Sequence, residues 1–263
     1  SLVQPGDVIA TSGSAVPGEA TGYNNIAEIW DPATAQWRQG AVAQKMRLYH
    51  SNALLLPDGS VLVSGGGAIS PTGTADPNKN NLNAEIYYPP YLFTANGTRA
   101  PRPAVANAPT WIDIGKTFGL DVTANSASVS RVTLVKSGSM SHSFNMDQRF
   151  LDLTFNASGT HVMVQAPTHA GEAPPGFYLL FVFNEAGVPS VGKIVRMGID
   201  PAYYQDGKLS QNENSRSLEI ISVGSLQPYK GQIFLVEACA ILKERDIPFH
   251  CRIVGDGDLH DLL

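Results

Sequence analysis

The chain has 263 residues, a formal net charge of −5 and an isoelectric point near 5.6. Nucleic acids and anionic membrane surfaces attract basic patches, so this charge balance argues against both as partners. No apolar run approaches the ~20 residues that span a bilayer, and the first residues lack the basic stretch and apolar core of a signal peptide. The length allows one large domain or two of ordinary size.

Short alternating runs separated by Gly, Pro and Asx turns predict an antiparallel sheet protein over residues 1–101. One hairpin turns at Pro57-Asp58-Gly59, and Trp37 is expected to point inward. The copies AEIWDP and AEIYYP, which begin at residues 27 and 84, mark an internal repeat typical of kelch-type β-propeller blades. Two blades at most are present and a propeller ring needs four or more. We therefore expect a partial propeller.

A second β-domain is predicted over residues 102–199, after the proline-rich connector RAPRPAV. Its short apolar runs are evenly spaced and interrupted by PPG and NEAG turns, which favours an immunoglobulin-like β-sandwich. The runs are TFGLDV, RVTLVK, FLDLTF, HVMVQAP, GFYLLFVF and VGKIVRM.

The character of the sequence changes near residue 200. Residues 200–218 are polar and linker-like, and residues 219–263 give strand, helix and strand, with the helix from about residue 231 to 245. This pattern predicts one βαβ unit of a doubly wound sheet, a short α/β fragment after mainly β domains. Both cysteines, Cys239 and Cys251, lie in it, and we expect two buried free thiols. We expect neither half to be a complete protein of its kind.

Candidate metal ligands lie in two polar stretches. Tyr49 and His50 are adjacent, so a regular strand sends them to opposite faces, and they can share a metal only if the backbone bends. Alternatively, His50 merely hydrogen-bonds between blades. His142 lies in SGSMSHSFNMDQR between two sandwich strands, a composition that suits a loop reaching away from its own domain. The other interpretation is a surface hairpin in which Asp147 pairs with Arg149. Two imidazoles and a phenol suit copper.

Residues 1–198 resemble the C-terminal half of the galactose oxidase/glyoxal oxidase group of copper radical oxidases. The resemblance is carried, in order, by MRLYHSNALLLPDGSVLVSGGG, AEIYYPPYLF, RAPRPAV, SHSFNMDQRFLDLTF and PPGFYLLFVFNEAGVPSVGKIV. It implies copper as the cofactor, Tyr49 as the axial ligand and proton acceptor, and His50 and His142 as equatorial ligands.

The resemblance also implies a reaction: oxidation of a primary alcohol, aldehyde or carbohydrate by O2, with release of hydrogen peroxide. The family's radical is a tyrosine linked to a cysteine, and this chain has no cysteine before Cys239. The Cys-Tyr radical therefore cannot form within it, and we expect no oxidase activity from the isolated chain. An intact oxidase parent is expected to be extracellular.

The tail resembles the start of the nucleotide-sugar-binding domain of GT-B glycosyltransferases, through SVGSL, YKG and RIVGDGDL. This resemblance implies that Lys230 and Gly231, at a helix N-terminus, receive a diphosphate. Ser225 stands where that family commonly has Arg, and this difference is expected to weaken phosphate binding. Its members are cytoplasmic, so we interpret the chain as two joined gene fragments.

Three functions thus stay open on the sequence alone. The first is the copper-ligand part of a copper radical oxidase. The second is a non-catalytic carbohydrate- or protein-binding module, because kelch blades and immunoglobulin-like sandwiches often only bind. The third is a glycosyltransferase fragment, which predicts binding of a nucleotide-sugar.

Overall fold

The computed structural model describes residues 3, 6–16, 22–69, 75–123, 129–141, 144–198, 218–224, 226 and 232–258. It divides into two compact units, Ser1–Ile199 and Asp200–Leu263. The first unit is built from strands and the second contains a helix, so the predicted fold class is confirmed. The finer domain bounds, at residues 101/102 and 218/219, stay a prediction.

The two predicted repeats form two antiparallel sheets. The first has the order β1-β2-β3; in the second, β5 pairs with β4, β6 and β7. The predicted hairpin joins β4 to β5, with Leu55 opposite Val61 and Gly59 at φ +80°. The strands are β1 (Val8–Thr11), β2 (Ile26–Asp31), β3 (Gln36–Val42), β4 (Tyr49–Leu55), β5 (Val61–Ile69), β6 (Ala75–Asn80) and β7 (Ala84–Tyr87), followed by a 3-10 helix (Pro90–Leu92).

One apolar cluster holds these sheets together. Ile9, Ile29, Val61 and Val63 are its central members, and each is almost fully buried. The expectation for Trp37 is wrong, since its side chain is 59% exposed. Strand β3 pairs only with β2 among the described residues, and this outer strand leaves the Trp37 ring at the surface.

The predicted sandwich consists of a four-stranded sheet, β15-β16-β10-β8, and a five-stranded sheet, β14-β11-β17-β18-β9. A separate two-stranded hairpin, β12-β13, projects from it. The strands are β8 (Val105–Asn107), β9 (Trp111–Asp113), β10 (Thr117–Val122), β11 (Val129–Lys136), β12 (Met140–Ser141), β13 (Phe144–Asn145), β14 (Phe150–Leu153), β15 (Phe155–Ser158), β16 (His161–Gln165), β17 (Gly176–Asn184) and β18 (Lys193–Gly198).

Strand β17 reads as a continuous apolar run because both of its faces are covered. Leu180 and Val182 point into the core between the two sandwich sheets. Phe181 and Phe183 point the other way, into a cluster that includes Leu55 of strand β4. The cluster around Phe181 and Phe183 therefore packs the sandwich against the sheet that contains β4 and β5.

Tyr178 makes the stability of the sandwich sensitive to alkaline pH. Its ring is fully buried, its hydroxyl donates to the Pro174 carbonyl at 2.7 Å, and burial, aided by the charge of Asp147, raises its pKa from 10.0 to about 12. Because the pKa is raised on folding, the stabilising contribution is complete below pH 10 and is lost as pH rises towards 12.

We expect Tyr178→Phe to cost about 1 kcal/mol at pH 7, the value of one hydrogen bond. This difference from the wild type should shrink between pH 10 and pH 12, because phenylalanine cannot ionise. Urea unfolding at several pH values measures it, and Tyr23→Phe, at a half-exposed position, is the control. A difference that stays constant up to pH 12 would contradict the prediction.

The second unit contains β19 (Leu218–Val223), α1 (Gln232–Glu244) and β20 (Phe249–Val254). Strands β19 and β20 are parallel neighbours, as the predicted βαβ unit requires. Both cysteines are free, as expected, but half-buried rather than buried: Cys239 on α1 and Cys251 on β20. Burial, together with a hydrogen bond between the thiols, raises the pKa of Cys239.

No helix in the described part of the chain is long and apolar enough to cross a membrane.

Candidate metal centre

Strand β4 begins with a sharp turn at the predicted ligand pair. The Ser51 N–H donates to the Leu48 carbonyl at 3.1 Å, and His50 has φ +63°. A positive φ at the third residue is the signature of a type II turn, and it is uncommon for a residue other than glycine. The Tyr49 and His50 rings lie with their centroids 3.9 Å apart and their planes at 33°. The bend that a shared metal requires is thus present.

Gly66 of strand β5 makes room for this turn. Tyr49 is paired with Gly67 and Ser51 with Gly65, so Gly66 lies opposite the turn itself. Gly66 has φ +86°, and a Cβ atom there would lie 2.9 Å from the Leu48 nitrogen. Such an approach is closer than a side chain tolerates, which explains the glycine at position 66.

A cavity of about 570 Å³ adjoins the turn. It is lined by residues 8–14, by residues of the 47–53 segment including Tyr49, and by hairpin residues including Met140 and Phe144. The Tyr49 side chain is 38% exposed. The phenol therefore reaches a space large enough for a small molecule.

The β12-β13 hairpin reaches from the sandwich to strand β4, as its polar composition predicts. Its strands contact β4, and a Cβ on Gly138 would lie 2.7 Å from the Leu54 side chain. The alternative pairing of Asp147 with Arg149 is wrong: Asp147 binds Lys136 at 2.9 Å, and Arg149 donates to the Gln148 carbonyl. His142 itself lies outside the described residues.

The structure does not describe the residues predicted to receive a diphosphate. Lys230 and Gly231 lie outside the described residues, as does Ser225. His161 is exposed and binds Asp121 at 2.9 Å, a hydrogen bond that lowers the pKa of Asp121. Over the described ranges, no group of three or more His, Cys, Asp or Glu side chains forms a metal site.

Sequence reasoning missed Arg47, which lies beneath the turn. The side chain is fully buried and binds Glu85 at 2.9 Å. The signal in the sequence is its place in the stretch RLYHS, two residues before Tyr49. A charged residue next to apolar strand residues is rarely buried unless a partner of opposite charge is near, and the Glu of the second AEI copy is that partner.

Comparison with known proteins defines the class. Residues 102–197 match the family model described as Galactose oxidase-like, Early set domain. Residues 207–263 match the model described as Glycosyl transferases group 1. The predicted relationship to the galactose and glyoxal oxidases is confirmed, and the first of these matched segments is a galactose oxidase-like early set domain.

The individual relatives agree with this class. Galactose oxidase of Gibberella zeae is 39% identical over 153 residues, which are 58% of this chain and 22% of the relative. Aldehyde oxidase GLOX1 of Arabidopsis thaliana is 33% identical over 177 residues, 63% of this chain and 28% of the relative. The chain thus spans less than a third of the length of these curated relatives.

A solved structure shows the same fold. It is described as a novel fungal alcohol oxidase with catalytic diversity among the AA5 family, in complex with copper. It superposes with a TM-score of 0.68 at 28% identity, covering 75% of this chain and 41% of that chain.

The donor set at the turn fits copper. A phenol oxygen and an imidazole nitrogen are ligand types that Cu(II) accepts in tetragonal sites. The two rings are in contact, so they lie on one side of the strand, and Tyr49 lines the cavity.

Proposed function

We propose that residues 1–198 supply the copper-ligand part of a copper radical oxidase. The observation that carries this proposal is the contact between the His50 ring and the ring of Tyr49, which lines a cavity of about 570 Å³. In this proposal, Tyr49, His50 and His142 hold the metal. The family resemblance and the copper-containing structural relative support the assignment.

Bound copper would supply the redox chemistry by which a primary alcohol or aldehyde is oxidised by O2, with release of hydrogen peroxide. The chain's own residues have simpler tasks. The cavity beside Tyr49 admits a small substrate, and its lining includes two apolar hairpin residues, Met140 and Phe144. The Tyr49 phenol oxygen would accept the proton of the substrate hydroxyl, the role of a general base within hydrogen-bond reach.

The isolated chain is proposed to lack oxidase activity. The radical partner in this family is a cysteine-linked tyrosine, and the first 238 residues contain no cysteine. Copper binding and catalysis are therefore separable here: in this proposal the chain binds the metal and releases no peroxide from a primary alcohol or an aldehyde.

The test is titration of residues 1–263 with Cu(II), followed by calorimetry and electron paramagnetic resonance. We expect Tyr49→Phe and His50→Gln each to weaken copper binding at least about 10–100-fold, the range that loss of outer-shell partners already costs. His161→Gln is the matched control, because His161 is an exposed histidine bound to Asp121. Equal affinities in all four proteins would overturn the proposal and favour a binding module without metal.

The glycosyltransferase match supports a second, weaker assignment, confined to the tail. A diphosphate role for Lys230 and Gly231 stays a prediction. Calorimetric titration of the chain with nucleotide-sugars tests it. We expect no heat of binding, a result that would count against this role in the chain.

A further inference from the structure

Arg47 is an arginine whose charge is held away from water. Its side chain is 0% exposed. Removing a guanidinium from water is costly unless hydrogen bonds replace its hydration. Here Nη1 donates to the Gly65 carbonyl at 3.0 Å and to the Asn83 carbonyl at 3.1 Å, and Nη2 donates to Glu85 Oε2 at 2.9 Å. These three acceptors come from β5, from the residue before β7, and from β7.

The acceptor on β5 belongs to the backbone against which the Tyr49–His50 turn packs. Gly65 is the pairing partner of Ser51, and a Cβ on Gly65 would lie 3.1 Å from the His50 carbonyl oxygen. Fixing the Gly65 carbonyl therefore fixes the surface beneath the turn. The Arg47 backbone is held as well, since its N–H donates to Ser12 Oγ at 2.7 Å.

We propose that Arg47 is a positioning residue for the Tyr49–His50 pair. This inference rests on the proposed function of these two side chains as copper ligands. Arg47 touches neither metal nor substrate in this role. It ties β4 to β5 and β7 so that the chain bends at His50 and both rings face the same side.

Glu85 keeps this arrangement charged at neutral pH. Burial acts to raise its pKa, but the Gln44 N–H and the Arg47 guanidinium stabilise the carboxylate, and the pKa is lowered from 4.5. The Gln44 N–H donates to Oε1 at 2.7 Å while Arg47 occupies Oε2. The Glu85 carboxylate thus binds both ends of the segment 44–47, which leads into the turn.

Lysine cannot replace Arg47 in this role. Its single ammonium nitrogen cannot reproduce a planar fork aimed at two carbonyls and a carboxylate. If Arg47 served only to join strands, Arg47→Lys would lower stability and leave the ring pair in place. If Arg47 positions the turn, the rings of Tyr49 and His50 separate even in a folded variant.

The experiment uses residues 1–263 with isotope-labelled histidine. In the metal-free wild type, the His50 ring protons should be shifted by the adjacent Tyr49 ring, with the signals assigned by comparison with His50→Gln. In Arg47→Lys this shift should be lost, and Cu(II) affinity should fall about 10–100-fold, as for other outer-shell partners of metal ligands. Arg38→Lys is the matched control, because Arg38 also binds a carboxylate, that of Asp7.

The outcomes separate this inference from the proposed function. Unchanged His50 signals in a folded Arg47→Lys variant overturn the inference, even if copper binding by the wild type depends on Tyr49. Shifted His50 signals that Arg47→Lys abolishes, in a chain that binds no copper, support the inference and overturn the proposed function. If Arg47→Lys does not fold, Glu85→Gln replaces it, and unchanged His50 signals there overturn the inference.

Discussion

Replacing Gly66 by alanine is expected to destroy the Tyr49–His50 turn. A side chain at φ +86° costs about 1–2 kcal/mol, and a Cβ at 2.9 Å from the Leu48 nitrogen adds about 1–3 kcal/mol of overpacking. The obstructing atom is backbone, so it cannot move aside by changing a rotamer. We therefore expect a loss of about 2–5 kcal/mol in the free energy of unfolding, together with loss of the ring contact that the proposed copper site requires.

Gly97→Ala separates strain from steric exclusion. Gly97 has nearly the same φ, +82°, but a Cβ there meets nothing within 4 Å. This variant should lose only the conformational cost of about 1–2 kcal/mol. Urea unfolding gives both values, and the His50 ring signals report on the turn. Equal losses in the two variants would show that the close approach at Gly66 contributes nothing.

Removing the guanidinium of Arg102 is expected to loosen the contact between the sandwich and the sheet that contains β4 and β5. Its Nη1 donates to the Asp58 carbonyl at 2.7 Å, in the turn of the β4-β5 hairpin. Its Nε and Nη2 donate to the carbonyls of Pro189 and Ser190, between β17 and β18, at 2.8 and 2.5 Å. Arg102→Met keeps much of the aliphatic stem and loses all three hydrogen bonds. At about 1 kcal/mol each, we expect a loss of about 3 kcal/mol.

Hydrogen exchange locates this effect. The amide protons around Asp58 and Ser190 should exchange faster in Arg102→Met, while those inside the sandwich, such as Leu180, should change less. Arg99→Met is the control, because Arg99 lies over the rings of Tyr88 and Phe93 and is exposed. It should cost no more than about 1 kcal/mol. A matching loss in both variants would contradict a specific role of Arg102 in joining the two parts.

Much of the fold follows from local patterns. The Asp-Gly turn at residues 58 and 59, the alternating runs and the strand-helix-strand tail are short-range signals, and they form the expected turn, strands and helix. The run FLDLTF differs: it divides at Thr154 into β14 and β15, which lie in different sheets. The solvent exposure of individual side chains is harder to predict. Trp37 is a large apolar residue in a strand, but its exposure depends on which neighbours cover that strand, and no pattern within the strand records them.

Residue order alone determined which groups are candidates for copper. It placed Tyr49 next to His50, put three consecutive glycines at residues 65–67, set His142 between two sandwich strands and left the first 238 residues without cysteine. Only the tertiary structure decided that Tyr49 and His50 face the same side. The bend at His50 depends on the absent side chain of Gly66 and on the buried Arg47 fork, whose contacts come from strands distant in sequence. Such contacts exist only after the strands pair, which is why spacing along the chain could not predict them.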